Sequence, residues 1–153
     1  SGCAVFFRRR AANCGYCEDT MEIKEYKTYK EDEIRALYAA VGWTAYTEDL
    51  PALERGFQNS LLVLAAYEDD VLIGLIRVLG DGATVVVVQD LLVAPQKQRQ
   101  GVGTALLKAV LDRYSDVRQL LLATDNTPKT VAFYKSLGFS ELSELGCCGF
   151  MRA

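Results

Sequence analysis

The sequence predicts one α/β domain, a central mixed β-sheet flanked by about four helices. Three observations carry this. A chain of 153 residues, half of them hydrophobic and 24% charged, has material for one well-buried core and not two, and its composition excludes a disordered or fibrous chain. Residues 61–67, 71–79 and 84–93 are rich in aliphatic and β-branched side chains and are separated by Asp69-Asp70 and Gly80-Asp81-Gly82, so they read as consecutive strands. Helical periodicity precedes them and alternates with a strand after them, giving the order βαα, βββ, αβα, ββ.

Residues 1–20 stand apart. Arg8, Arg9 and Arg10 in a row, two glycines and no period of either kind mark an appended segment: a tag, a misassigned start or a basic arm. Met21 reads like a natural start, so the domain is expected over residues 21–153. A strand at 22–28 leads into a helix with Thr28 and Glu31 at capping-box spacing and Ile34, Leu37, Tyr38 and Val41 on one face. Gly42 closes it. Asp49 and Pro51 open a second helix running to about residue 59, with Leu53 and Phe57 inward. Pro95 stops the third strand of the β run; residues 101–114 read as a helix, 119–124 as a strand, and 128–137 as a helix closed by Gly138. From Phe139 to Phe150 two short final strands are expected.

A net charge of -3 and a pI near 5.0 argue against a nucleic-acid partner, which would want a strongly basic face. Without its first 20 residues the chain carries 14 basic and 18 acidic residues. It has no histidine, which removes the imidazole triads and the commonest metal ligand. No apolar run approaches the roughly 20 residues of a membrane helix, so no membrane partner is expected. Five cysteines, Cys3, Cys14, Cys17, Cys147 and Cys148, are odd in number and clustered at the termini, which suits a reducing, cytoplasmic compartment better than a disulfide framework. Cys14-Gly15-Tyr16-Cys17 has zinc-knuckle spacing, but its second ligand pair would have to be the adjacent Cys147 and Cys148, so no metal is expected.

The chemistry concentrates where a buried strand meets an amphipathic helix, in Val93-Ala94-Pro95-Gln96-Lys97-Gln98-Arg99-Gln100-Gly101-Val102-Gly103-Thr104. Two glycines at a helix N-terminus let an anion approach the backbone, where unpaired N–H groups and the helix dipole favour phosphate. The segment is not Walker A, since no Gly-Lys-Ser/Thr follows, nor the dinucleotide fingerprint, since Leu106 replaces the third glycine. A glycine pair that merely tightens the turn is the bland alternative.

Gln98-x-x-Gly101-x-Gly103 resembles the pyrophosphate motif of the GNAT superfamily of N-acetyltransferases, and Ala132-Phe133-Tyr134-Lys135-Ser136-Leu137-Gly138-Phe139 resembles its second signature. The order of elements matches as well, so the resemblance covers residues 21–153. Val41-Gly42-Trp43-Thr44-Ala45-Tyr46, Arg77 with Gly80-Asp81, Gln89-Asp90-Leu91-Leu92-Val93 and Val117-Arg118-Gln119 look most like small bacterial members and plastid aralkylamine N-acetyltransferases.

The resemblance implies that Gln98, Arg99, Gln100, Gly101, Val102, Gly103 and Thr104 hold the pyrophosphate of acetyl-CoA, with Gln98 shaping the loop, and that Leu91 and Val93 bind the pantetheine arm through their backbone, as an added strand would. Asn126 and Phe133 are implied as further cofactor contacts. Asn126 is displaced, because Thr127 holds the position seven before the tyrosine where relatives place asparagine. Tyr134 matches the usual proton donor to the departing thiolate, and a backbone N–H at Leu91 or Leu92 would meet the oxyanion. The positions of the usual strand base are Val87 and Gln89, neither of which takes a proton; Asp90 is ionisable but alternation turns it away from Gln89. Trp43, Tyr46, Arg77, Asp81 and Asp90 are candidates for selecting an arylalkyl amine or polyamine, or are plain core and rim.

The implied function is N-acetylation of a primary amine, a small molecule, by direct attack in a ternary complex with acetyl-CoA. A non-catalytic CoA-binding module and an acetyltransferase of a protein N-terminus or lysine are the alternatives, and a homodimer stays open.

Overall fold

The computed structural model of the chain describes residues 5–8 and 20–152. It divides into two compact units, Ser1–Leu122 and Ala123–Ala153. The first unit holds one six-stranded sheet with its strands in sequence order: β1 (Val5–Arg8), β2 (Thr20–Glu25), β3 (Leu62–Glu68), β4 (Val71–Gly80), β5 (Val85–Val93) and β6 (Gln119–Leu122). Every neighbouring pair is antiparallel except β5 and β6, which are parallel and joined through helix α4 (Val102–Arg113). A parallel pair requires such a crossover, so α4 is what makes the sheet mixed. Strand β1 comes from within the segment that the sequence sets apart and pairs Val5 with Ile23 and Arg8 with Thr20. The Cys14-Gly15-Tyr16-Cys17 motif and Cys3 lie outside the described residues.

Strands β3 and β4 are buried along almost their whole length because both faces of the sheet are covered. On one face Val63, Ala65, Tyr67, Leu75 and Leu92 form a core with Ile34, Leu37 and Tyr38 of α1 (Glu31–Ala40) and Leu53 and Phe57 of α3 (Leu50–Gln58). On the other lies α4, whose Val102 and Leu106 come so near Gly74 that a Cβ there would sit 2.9 Å and 3.2 Å from them. The apolar spacing in the sequence thus fixed which face each helix buries.

Helix α1 does not start with the expected capping box. Its N-cap is Lys30, with no side-chain cap, and the Lys30 amide donates instead to the Tyr26 hydroxyl at 3.0 Å. Glu31, Asp32 and Glu33 fill the first turn and suit the positive end of the helix dipole, so Thr28 is not needed. Helix α3 starts as its sequence indicates, the Asp49 carboxylate accepting from the Ala52 amide at 3.0 Å. Between them a single turn, α2 (Thr44–Thr47), lifts Tyr46 into the core rim.

Both hairpin turns rest on special backbone. Asp69 and Asp70 take φ of 49° and 62°, the pattern of a two-residue hairpin turn with both residues left-handed. At the next turn a Cβ on Gly80 would fall 2.2 Å from the Val85 carbonyl, so only glycine fits. Asp81 then accepts from the amides of Ala83, Thr84 and Val85 and from the Thr84 hydroxyl, a turn cap that holds its pKa below the usual carboxylate range. Asp81 is therefore committed to the turn.

In the second unit α5 (Pro128–Ser136) is capped by Thr127, whose hydroxyl accepts from the Thr130 amide at 3.3 Å. The two strands expected from Phe139 to Phe150 do not form: among the described residues no strand follows β6. A 3-10 turn, Leu142–Leu145, stands there, with the Glu141 amide donating to the Glu144 carboxylate at 2.9 Å and Lys135 bridging Glu141 and Glu144 at 3.0 Å and 2.7 Å. Leu142 and Leu145 are three apart, the repeat of a 3-10 turn and not the alternation of a strand. Among the described residues no helix is long and apolar enough to cross a membrane.

Candidate active site

Strand β5 runs through a three-residue 3-10 turn at Pro95–Lys97 towards α4. Arg99 and Gly101 both take left-handed backbone, with φ of 59° and 84°, which swings the chain so that Gly101 becomes the N-cap of α4. Gly101 has no side chain to cap this helix and its first turn holds no acidic residue, which suits the N–H groups of Val102, Gly103 and Thr104 to an external acceptor. The loop is tied down at two points. The Gln98 side-chain amide donates to the Val93 carbonyl at 3.1 Å, and the Lys97 ammonium pairs with the buried Glu68 carboxylate at the end of β3. Arg99 is exposed, and among the described residues it enters no ion pair.

The edge of β5 opens before it reaches this loop. Its pairing with β6 ends at Val88 opposite Leu122, while its pairing with β4 continues to Val93 opposite Gly74. The Ala94 amide donates to the Ile73 carbonyl at 2.8 Å, so by antiparallel alternation residues 90 and 92 turn their N–H and C=O toward β4. Leu91 and Val93 turn theirs the other way, to the open side. Of the two amides considered for the oxyanion, Leu92 is thus spoken for by β4 and Leu91 faces out.

Between these features the β4/β5 register breaks. Arg77 pairs with Asp90 but Val78 with Val88, leaving Gln89 as an extra residue, a β-bulge. The bulge puts Asp90 on the face of α1 and α3, where it is 1% exposed. One Asp90 oxygen accepts from the Arg77 guanidinium at 2.6 Å and from the Tyr38 hydroxyl at 2.8 Å, and the other from the Tyr46 hydroxyl at 3.1 Å. Burial, and the carboxylate beside it, push the Tyr38 phenol well above its usual pKa. Buried and holding three donors on its two oxygens, Asp90 is a poor candidate for the base. Trp43 stacks on Tyr46 with ring centres 6.0 Å apart and is partly exposed.

In the second unit, Phe133 and Phe139 meet the Tyr134 ring edge-on at 5.0 Å and 5.8 Å. Burial raises the Tyr134 pKa, and the nearby Asp125 charge adds to the rise. The phenol is therefore fully protonated at neutral pH. Asn126 is exposed, and Thr127, in the position expected to hold asparagine, is used as the helix cap.

Residues 25–148 match the family described as acetyltransferase (GNAT) domain. The chain belongs to the GNAT acetyltransferase family. A GNAT-family acetyltransferase from Streptococcus pneumoniae TIGR4 is 40% identical, with a TM-score of 0.79 over 87% of this chain and 97% of that one. A Prochlorococcus marinus protein named as an uncharacterized N-acetyltransferase, ycf52-like, is 26% identical over 88% of this chain and 76% of its own length. At 21% identity the fold is also that of AAC(6')-Iy, solved with a bisubstrate analog, CoA-S-monomethyl-acetylneamine, at a TM-score of 0.67 over 87% of this chain and 97% of that one.

This GNAT chain is accordingly an acetyl-CoA-dependent N-acetyltransferase. Its first unit brings together Leu91, Val93 and the loop of Gln98, Arg99, Gln100, Gly101, Val102, Gly103 and Thr104; Asn126, Phe133 and Tyr134 belong to the second. The uncapped start of α4 and the outward amides of Leu91 and Val93 suit the two parts of acetyl-CoA, an anionic pyrophosphate and an amide-bearing arm. Three features escaped the sequence: the Gln89 bulge, the Tyr38 hydroxyl on Asp90, and the Glu68 anchor for Lys97. An aspartate inside a run of valines and leucines was the one visible signal, since a buried charge needs partners. Among the described residues no group of three or more Cys, Asp or Glu is placed to hold a metal.

Proposed function

We propose that this enzyme acetylates a primary amine of a small molecule by direct attack on acetyl-CoA in a ternary complex. The observation that carries this is the open edge of β5, where the Leu91 and Val93 amides face away from β4 past the end of β6, followed through the Pro95–Lys97 turn by a helix N-terminus whose N-cap is Gly101. Acetyl transfer needs an anchor for the donor, stabilisation of the oxyanion, a proton for the thiolate and a neutral amine. In this reading the amides of Val102, Gly103 and Thr104 hold the pyrophosphate, with Arg99 adding charge. The Leu91 amide donates to the acetyl carbonyl oxygen, where its hydrogen bond strengthens as negative charge develops.

Tyr134 is proposed as the acid, on the strength of its motif and its raised pKa, which keeps the phenolic proton available at neutral pH. The amine arrives neutral or loses its proton to water, because Val87 and Gln89 carry no base and Asp90 is buried and engaged by three donors. A panel of aryl-alkyl amines, polyamines, aminoglycosides and amino-terminal peptides, assayed with acetyl-CoA by thiol release, tests the proposal. Turnover of a small amine is expected. Turnover confined to peptides would replace the small-molecule acceptor by a protein one, and acetylation of the enzyme itself before transfer would replace direct attack.

A further inference from the structure

The bulge at Gln89 decides which way Leu91 faces. The Gln119 amide donates to the Thr84 carbonyl at 3.0 Å, so in the parallel β5/β6 ladder residues 84, 86 and 88 turn toward β6. Unbroken alternation would carry this on to residues 90 and 92 and would turn the Leu91 amide into β4. The single extra residue shifts the sequence of orientations by one, and Leu91 and Val93 face out instead.

A bulge needs something to hold it, and here the restraint is charged. Asp90, next to the extra residue, is bound by Arg77 from β4, Tyr38 from α1 and Tyr46 from α2. Arg77 continues the tie: its guanidinium reaches the Ser60 hydroxyl at 3.4 Å, lies over the Phe57 ring at 5.7 Å, and passes close to Gly56. Four elements are thereby fastened to one carboxylate beside the Leu91 amide. Stability alone does not call for this arrangement, because a buried ion pair is commonly matched or bettered by apolar residues of the same volume.

We infer that Asp90 is a positioning residue for acetyl transfer, clamping the β4/β5 bulge through Arg77, Tyr38 and Tyr46 so that the Leu91 amide stays aimed at the open edge. The inference rests on the reading of Leu91 as donor to the acetyl carbonyl. Its prediction separates geometry from stability. In the triple variant Tyr38→Phe, Arg77→Met, Asp90→Leu, which leaves no buried hydroxyl without its acceptor, the apolar replacement keeps the melting temperature near that of the wild type, but kcat falls by about 10-fold or more, toward the 10²-fold or greater loss typical of an oxyanion donor. The KM for acetyl-CoA stays within about twofold, since the pyrophosphate loop is untouched.

Tyr46→Phe removes one hydroxyl from the rim of the cluster and serves if the triple variant does not fold. It should lower kcat by about threefold or more with the melting temperature unchanged. Wild-type kcat in either folded variant would overturn the inference. Amide NMR distinguishes this from failure of the underlying reading. If acetyl-CoA leaves the Leu91 amide resonance of the wild type unmoved, the donor role of Leu91 falls, and the inference with it. If the resonance moves equally in wild type and variants, the Asp90 clamp alone falls.

Discussion

Replacing Gly74 by alanine tests how the sheet positions the phosphate loop. Gly74 lies on β4 beneath the first turn of α4, and a Cβ there would stand 2.9 Å from Val102 Cγ1, 3.1 Å from the Leu92 carbonyl oxygen and 3.2 Å from Leu106 Cδ1. The carbonyl is held in the β4/β5 ladder, so the helix must give way. Overpacking of this kind costs about 1–3 kcal/mol, and the lower chain entropy of unfolded alanine returns about 0.4–1 kcal/mol. A net loss of about 1–2 kcal/mol corresponds to a fall of roughly 2–8 °C in melting temperature for a chain of this size. Val102 is also the first residue of α4, so its displacement moves the amides proposed to hold pyrophosphate, and acetyl-CoA affinity should drop by roughly 3–10-fold, about 0.7–1.4 kcal/mol. Thermal denaturation and calorimetric titration read the two effects. An equal or higher melting temperature with unchanged affinity would refute both the packing argument and the link from β4 to the loop.

Gly103→Val places a branched side chain where the proposed site brings the pyrophosphate to the backbone, and calorimetry should show acetyl-CoA binding lost in a folded protein. Tyr134→Phe keeps ring and packing but removes the proposed acid, so acetyl-CoA binding should hold while the chemical step slows by roughly 10²–10⁴-fold; wild-type turnover with chemistry rate-limiting would remove the role. In the wild type, the raised Tyr134 pKa means that ionisation of this phenol should not curtail turnover until the pH rises above 10, which a rate profile in alkaline buffers can check. Asp81→Ala should lower the melting temperature at neutral pH. Because the folded Asp81 pKa is depressed below its ordinary 3.8, its contribution is complete above that value and is lost as the pH falls through the folded pKa, so melting curves of wild type and variant should converge only in strong acid. A protein beginning at Met21 should retain turnover, since no proposed step uses residues 1–20, although it lacks the β1 edge strand; loss of activity with folding intact would bring the segment into the domain.

What the sequence made legible was whatever depends on local periodicity. Ile34, Leu37 and Tyr38 at helical spacing, and Leu53 with Phe57 four residues later, marked the buried faces of α1 and α3 correctly. Gly101 located the start of α4, where it takes left-handed backbone as the N-cap. The bulge left no trace in the pattern: residues 86, 88, 90 and 92 alternate with their neighbours in burial as if the strand were regular, yet Val88 and Asp90 lie on opposite faces. A register break is a property of two strands together, and one strand's sequence does not record it. Likewise, Thr28 and Glu31 have the spacing of a capping box, but the Tyr26 hydroxyl, brought in by the fold, takes the Lys30 amide first. At the C-terminus, where two short strands were expected, Leu142 and Leu145 stand three apart and form a 3-10 turn instead.

The most direct test of the central claim is an amide-resolved NMR titration of the whole chain with acetyl-CoA. Binding at the open edge of β5 and the start of α4 predicts that the largest shifts fall on Leu91, Val93, Val102, Gly103 and Thr104. Unmoved amides at these positions, with saturable shifts clustered elsewhere, would contradict it.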